Sequence, residues 1–285
     1  MRMAAAFAGL MAMCLSASAQ SVTPPGLPPL PHLTSPRLYV LDCGTIISHE
    51  PERFGLSRQD VSDPDFSDPC FLVMHPKGIL LFDTGLTDAQ VGRPIYENRI
   101  GYEGQLKTTT LKGELANIGV TSAMITYLAI SHSHWDHVGN GNAYAGSTWL
   151  ARKAEYDVMF GSAANAVAKS NYAALAHAKI QYIEGDHDVF GDGSVMLLST
   201  PGHTPGHQSL YVKLANTGGV VVSGDLYHYP AERTQGKMPA REVASGTPES
   251  RLKVDDFLAR THSRLWIGHS IDWFRDAVKA PGWYD

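Results

Sequence analysis

The segment Ser131-His132-Ser133-His134-Trp135-Asp136-His137 sets three imidazoles and one carboxylate within six consecutive positions. Imidazole nitrogen and carboxylate oxygen are the donors that suit zinc and its first-row neighbours. Four such groups crowded together weaken a fold unless each finds a partner, so a metal centre explains them better than a chance His-rich loop. The apolar run Ile125-Thr126-Tyr127-Leu128-Ala129-Ile130 precedes them and predicts a buried strand. His132 and His134 then leave its end two residues apart, facing the same way, while Asp136 and His137 sit where the chain turns towards a helix.

Three downstream elements repeat that grammar of apolar run and ligand. Ser194–Ser199 leads to Gly202-His203 within Thr200-Pro201-Gly202-His203-Thr204-Pro205-Gly206-His207, Gly219–Ser223 to Gly224-Asp225, and Leu265–Ile267 to Gly268-His269. A glycine before each ligand lets the backbone turn sharply and approach a crowded centre. One such pair signals little, whereas three in this order behind His132-x-His134-x-Asp136-His137 form a specific pattern.

That order resembles the metallo-β-lactamase superfamily, over most of the chain from about Leu38 onward. The resemblance implies an α+β fold, an αβ/βα four-layer sandwich of two mixed sheets with helices outside and metals at one sheet edge. It implies that His132, His134 and His203 hold one divalent ion, that Asp136, His137 and His269 hold a second, and that Asp225 bridges both. Zinc is the default, and iron, manganese or cobalt suit the same donors. Asp83 in Phe82-Asp83-Thr84-Gly85 matches an early motif whose aspartate orients a ligand, which suits imidazoles that need their other N–H engaged.

A carboxylate at the bridge, where the best-known β-lactamases carry cysteine, can clamp two cations for hydrolysis. The long Leu86–Gly119 excursion after Gly85 looks like the N-acyl homoserine lactonase branch. The chain also ends sixteen positions after His269, leaving no room for the C-terminal helical domain of glyoxalase II. Lactonases of this branch often place tyrosine three positions beyond the bridging aspartate. This chain reads Asp225-Leu226-Tyr227-His228-Tyr229, so His228 takes that place. The expectation is lactone ring opening, with Asp225 and Asp136 at the metals, Asp136 or a water taking the final proton, and His228 or Tyr227 holding the oxyanion. The acyl tail is expected on apolar residues of Leu86–Gly119 and on Trp273, Phe274, Trp283 and Tyr284. An organophosphate or aryl-ester hydrolase is the alternative. A glyoxalase II-like thioesterase and a non-catalytic metal-binding relative rank lower.

The elements around these motifs are ordinary in composition. With 285 residues, 44% hydrophobic and 18% charged, the chain can bury one sizeable core. A formal charge of −5 without a Lys/Arg cluster excludes a nucleic-acid partner and leaves a small lactone or ester. Residues 1–19, with Arg2, an apolar stretch and Ala17-Ser18-Ala19, read as a signal peptide, and hence export to a periplasm or the medium. No run is long enough for stable membrane insertion. Residues 20–36 form a proline-rich arm, either disordered or laid across a second copy in a homodimer, and residues 37–285 are the hydrolase domain. Cys43 and Cys70 follow and open strand-like runs, and form a disulfide candidate in an oxidising compartment. Thr110–Ile118, closed by Gly119, predicts one helix, and Ala151–Lys179 a helical layer over the sheet.

Overall fold

The computed structural model describes residues 33–93, 104–162, 164 and 166–285. The expected signal peptide, most of the proline-rich arm and the middle of the Leu86–Gly119 excursion lie outside the described residues. Seven strands form the first sheet: β1 (Arg37–Ile47), β2 (Phe66–His75), β3 (Gly78–Phe82), β4 (Gly104–Leu106), β5 (Tyr127–Ala129), β6 (Thr148–Ala151) and β7 (Lys179–Tyr182), in the order β4-β1-β2-β3-β5-β6-β7. The second sheet runs β12-β11-β10-β9-β8, from β8 (His187–Asp188), β9 (Val195–Ser199), β10 (Gln208–Leu214), β11 (Gly218–Val222) and β12 (Arg264–Trp266). Both sheets are mixed, since β3, β5, β6 and β7 pair in parallel, as do β11 and β12.

Period-two alternation sorts β1 into two cores. Leu38 and Val40 point between the sheets, meeting Phe71, Val73, Leu197, Leu210 and Val222, while Tyr39 and Leu41 point outward. Over that outer face lie α1 (Leu111–Asn117) and α2 (Lys153–Phe160), which supply Leu111, Leu115 and Met159. The second sheet is covered by α5 (Thr247–Thr261) through Val254, Phe257 and Leu258. This is the expected αβ/βα sandwich. Three shorter α-helices also lie among the described residues: α3 (Ala166–Lys169), α4 (Pro230–Gln235) and α6 (Ile271–Asp276). Among the described residues no helix is long and apolar enough to cross a membrane.

The helix expected over Thr110–Ile118 is α1, with Thr110 as its cap, accepting from the Gly113 N–H at 2.9 Å. The Ala151–Lys179 stretch is instead broken after Phe160, where Gly161-Ser162 end α2 and only α3 and a 3-10 turn over Ala173–His177 follow. Its packing role survives through Met159, Tyr172 and Leu175. Between Asp42 and Thr45 the β1–β2 register slips, and there Cys43 is bonded to Cys70 with Cα atoms 5.8 Å apart.

Candidate metal centre

Strand register explains how distant ligands converge. In the second sheet Val222 lies opposite Trp266 on parallel strands, and Asp225 and His269 each follow three residues later. In the first sheet Phe82 lies opposite Ala129, so Asp83 and Ser131-His132 leave neighbouring ends together. His203 comes from the β9–β10 connection. Glycine is required at two of the three predicted steps. Gly202 has φ 147° and a Cβ there would stand 2.2 Å from the Thr247 nitrogen; Gly224 has φ 55° and its Cβ would stand 2.6 Å from His207 Nε2. Gly268 has ordinary room, its nearest neighbour being Pro69 at 3.5 Å.

Two donor sets face each other across Asp225. His134 Nδ1 lies 2.8 Å from His132 Nε2 and 3.0 Å from His203 Nε2, and Asp225 Oδ2 stands 3.5 and 3.4 Å from the latter two. In the second set His137 Nε2 lies 3.4 Å from Asp136 Oδ2 and 3.1 Å from Asp225 Oδ1. His269 Nε2 completes it at 3.6 and 3.0 Å from the same oxygens. A tetrahedral ion with bonds of 2.0–2.1 Å needs donors about 3.3–3.4 Å apart. The separations above, 2.8 to 3.6 Å, bracket that spacing, and the two oxygens of Asp225 serve one set each. His137 Nε2 and Asp225 Oδ1 are buried without a hydrogen-bond partner, as atoms meant for a cation would be.

Four of the five histidine ligands have the outward nitrogen engaged, which fixes their lone pairs inward. His137 Nδ1 donates to Asp83 Oδ2 at 2.9 Å, while Asp83 Oδ1 accepts the Ser131 N–H at 2.6 Å. Asp83 does so from a left-handed backbone, φ 64°, the kind of strain that collects at functional sites. His269 Nδ1 donates to the Ser67 carbonyl at 2.9 Å, and His132 Nδ1 sits 3.1 Å from Ser131 Oγ. Burial, reinforced by neighbouring imidazoles, holds His132 and His203 well below the ordinary histidine pKa. Neutral imidazoles are the metal-binding form. Burial opposes the charge of Asp225, but the surrounding histidines outweigh it and hold that carboxyl well below its usual range.

All seven predicted ligands therefore come together, and so does His228. It is 3% exposed, with Nε2 at 3.3 Å from Asp225 Oδ2 and its ring stacked on His269. Burial disfavours its charge, yet Asp225 and Glu232 prevail and push its pKa up to about 10. Tyr227 is not brought to the site. Its ring packs among Leu198, Val221 and Leu258 with the Arg251 guanidinium 4.1 Å above it, so the oxyanion role expected of it has no geometry here. Of the residues expected to carry an acyl tail, Leu111 and Leu115 are buried in the outer core, Leu86 packs with Phe54 and Phe66, and Trp273, Phe274 and Tyr284 pack against the inter-sheet core, while Trp283 is 43% exposed and residues 94–103 lie outside the described residues. An aromatic wall stands beside the donors: Phe54 lies 4.4 Å from the His228 ring and Phe66 5.1 Å from that of His269, in a buried cluster with Leu56, Val61, Leu86 and Tyr229 against which the half-buried Trp135 packs.

Three further residues serve the site without an assigned role in the sequence pattern. Glu155 ties two ligand loops, accepting from the Ser133 N–H at 2.7 Å, Thr204 Oγ1 at 2.7 Å and the Gly206 N–H at 2.9 Å. His207 donates from Nδ1 to the Thr200 carbonyl at 3.0 Å and accepts the Asp225 N–H at Nε2, also at 3.0 Å. The second Gly-His step, Gly206-His207, was its visible signal. Glu242 reaches His203 Nδ1 at 2.8 Å, and nothing in its neighbourhood of the sequence marks it.

With that geometry in place, comparison with known proteins is direct. Residues 64–266 match the family model of the metallo-β-lactamase superfamily, and the chain belongs to that superfamily. Within it the chain falls in the lactonase-like branch. It is 26% identical over 274 residues to the N-acyl homoserine lactonase AttM of Azorhizobium caulinodans, covering 89% of this chain and all of that protein. It is 29% identical over 215 residues to the N-acyl homoserine lactonase of Bacillus thuringiensis, 71% of this chain and 81% of that one. A solved N-acyl homoserine lactone hydrolase, with the product N-hexanoyl-L-homoserine at its catalytic metal centre, has the same fold at a TM-score of 0.72 and 21% identity, over 88% of this chain and all of that one. The chain is a metal-dependent hydrolase.

Proposed function

We propose that this hydrolase opens lactone rings, N-acyl homoserine lactones first, with two divalent ions and zinc as the default metal. The observation that carries the reading is the pair of four-donor sets sharing Asp225, with an aromatic cluster packed beside them. The names of the relatives support the substrate class. His132, His134 and His203 would hold one cation, Asp136, His137 and His269 the other, and Asp225 would touch both. The cations would polarise the ring carbonyl and lower the pKa of an attacking water. His228 donates from Nε2 to the oxyanion that forms as water adds to the carbonyl carbon. Asp136, beside His137 and His269, relays the water's proton to the alkoxide released when the ring C–O bond breaks. Trp135, half-buried in an open pocket with His134, Val158, Ala168 and Tyr172, gives the acyl tail an apolar surface, backed by the buried Phe54 and Phe66 and worth about 0.8 kcal/mol for each CH₂ it buries.

His228 in the place of tyrosine favours one second reading, an organophosphate or aryl-ester hydrolase on the same ligands. The assay is kcat/KM for short to long N-acyl homoserine lactones beside paraoxon, a glutathione thioester and a cephalosporin. Activity should climb with acyl length and exceed all three comparators. Faster turnover of any comparator than of every lactone refutes the lactonase reading. We also infer export by cleavage after residue 19; the Cys43–Cys70 bond suits an oxidising compartment. Finding the uncleaved chain in the cytoplasm of an expressing cell would refute it.

A further inference from the structure

We infer that Glu242 is a positioning residue that sets the hold on the cation shared by His132, His134 and His203. The inference rests on the two-cation reading of the site and is independent of the substrate.

Glu242 is 1% exposed, yet it lies on a 3-10 turn, Ala240–Glu242, whose flanking Arg241 and Val243 are exposed. Burying a carboxylate on such a turn is unfavourable unless the charge is compensated. It is turned inward to two donors only: His203 Nδ1 at 2.8 Å on Oε1 and Thr247 Oγ1 at 3.0 Å on Oε2, with Arg241 at 3.7 Å beyond. A neutral imidazole, a hydroxyl and an exposed guanidinium beyond hydrogen-bond distance compensate a buried charge only in part. A cation on the far nitrogen of that imidazole compensates it well and makes the Nδ1–H a stronger donor. The turn is fixed against the ligand loop as well. Thr247 opens α5 directly over Gly202, where no side chain fits, and Ser250 Oγ donates to the Pro201 carbonyl at 2.6 Å.

Each donor set thus contains one imidazole backed by a carboxylate: His137 by Asp83, and His203 by Glu242. Their settings differ. Asp83 stands at the end of a central strand, whereas Glu242 rides an excursion between α4 and α5. His132 in the same set has only the Ser131 hydroxyl.

The experiment titrates Co²⁺ into the metal-free full-length chain, following the visible absorption of tetrahedral cobalt and the melting temperature of metal-free and loaded forms. Glu242→Ala should weaken one of the two binding steps about 10–100-fold and leave the other unchanged. The loaded form should then melt lower while the metal-free form moves far less. Glu242→Gln keeps an acceptor for Nδ1–H and should recover most of the lost affinity. Two unchanged steps in Glu242→Ala overturn the inference, as do equal melting losses in both forms, which would mark a purely structural residue. A wild-type chain that takes up no more than one Co²⁺ overturns it together with the two-cation reading. Unchanged wild-type-like binding in Glu242→Ala removes Glu242 alone.

Discussion

The donor cluster and the aromatic wall meet at His228, yet they are built by opposite means. Asp225 and His269 follow strand ends at positions set by register, the other donors sit on the loops beyond, and most have the outward atom tied to a named partner, as His137 to Asp83 and His269 to the Ser67 carbonyl. The wall comes from the irregular 51–61 segment and Phe66, held by ring contacts such as Phe54 on Phe66 at 5.6 Å. Directional bonds fix atoms within a few tenths of an ångström, while apolar contact is non-directional and can repack. The cluster should therefore fail as a unit, and the wall should change by degrees.

The largest effect tests the cluster at its shared member. Asp225→Ala takes a donor from both sets and should cost more than about 10³-fold in kcat/KM, beyond the 10²–10³ typical of one lost oxyanion donor. Elemental analysis should show fewer than two metal equivalents per chain. Full metal retention would mean that the sets do not depend on the bridge. Chelation comes next. Each cation present at 100 times its dissociation constant adds about 2.7 kcal/mol to the folded state, so removing both should lower the melting temperature by roughly 10–20 °C. A wall variant such as Phe54→Leu should leave that difference unchanged.

His228 is the joint between the two regions, and its variants say which it belongs to. His228→Phe keeps the stacking on His269 and Phe54 but loses the donor at Asp225, and should lower kcat by about 10²-fold with both metals retained. His228→Tyr restores a donor and should recover part of that loss. If His228→Phe sheds a metal instead, the residue is part of the donor cluster. At the accessible edge of the wall, Trp135→Ala should raise KM for long acyl chains several-fold and leave short ones nearly unaffected. A chain-length-independent change would place the tail elsewhere.

The contrast also decides what a reader of the sequence can see. Ligands at strand ends are legible because residue type, strand and glycine sit within a few positions, as in Gly224-Asp225 after Gly219–Ser223. The wall is not, since Phe54 and Phe66 meet His228 and His269 only through tertiary packing, over a hundred and fifty positions away. Tyr227 and His228 could not be told apart because the chain leaves β11 through a 3-10 turn, Gly224–Leu226, where strand alternation no longer says which side chain faces the metals. Glu155 and Glu242 are hidden for a related reason. A buried carboxylate looks like any surface acid until its distant partners, Ser133 or His203, are known.

The smallest expected effect on catalysis probes whether the cluster leans on covalent support behind it. Cys43 and Cys70 are wholly buried, and a Cβ on Gly85 would stand 2.2 Å from that of Cys43, so the disulfide packs directly under the Asp83-Thr84-Gly85 turn. The bridge closes a sequence separation of 27 residues, for which loop-closure entropy predicts about 3–4 kcal/mol of stability. The double variant Cys43→Ala with Cys70→Ala should thus melt roughly 10 °C lower. The turn above it has its own ties, however. Thr84 N–H donates to the His137 carbonyl at 2.8 Å, Asn140 Nδ2 bonds the carbonyls of Thr84 and Leu86 at 2.7 and 2.8 Å, and Leu86 N–H meets Asp68 at 2.8 Å. Those bonds do not pass through either cysteine, so metal content and kcat at 25 °C should stay within about twofold of the parent chain. Loss of a metal equivalent along with the bridge would show that the donor cluster does not hold itself.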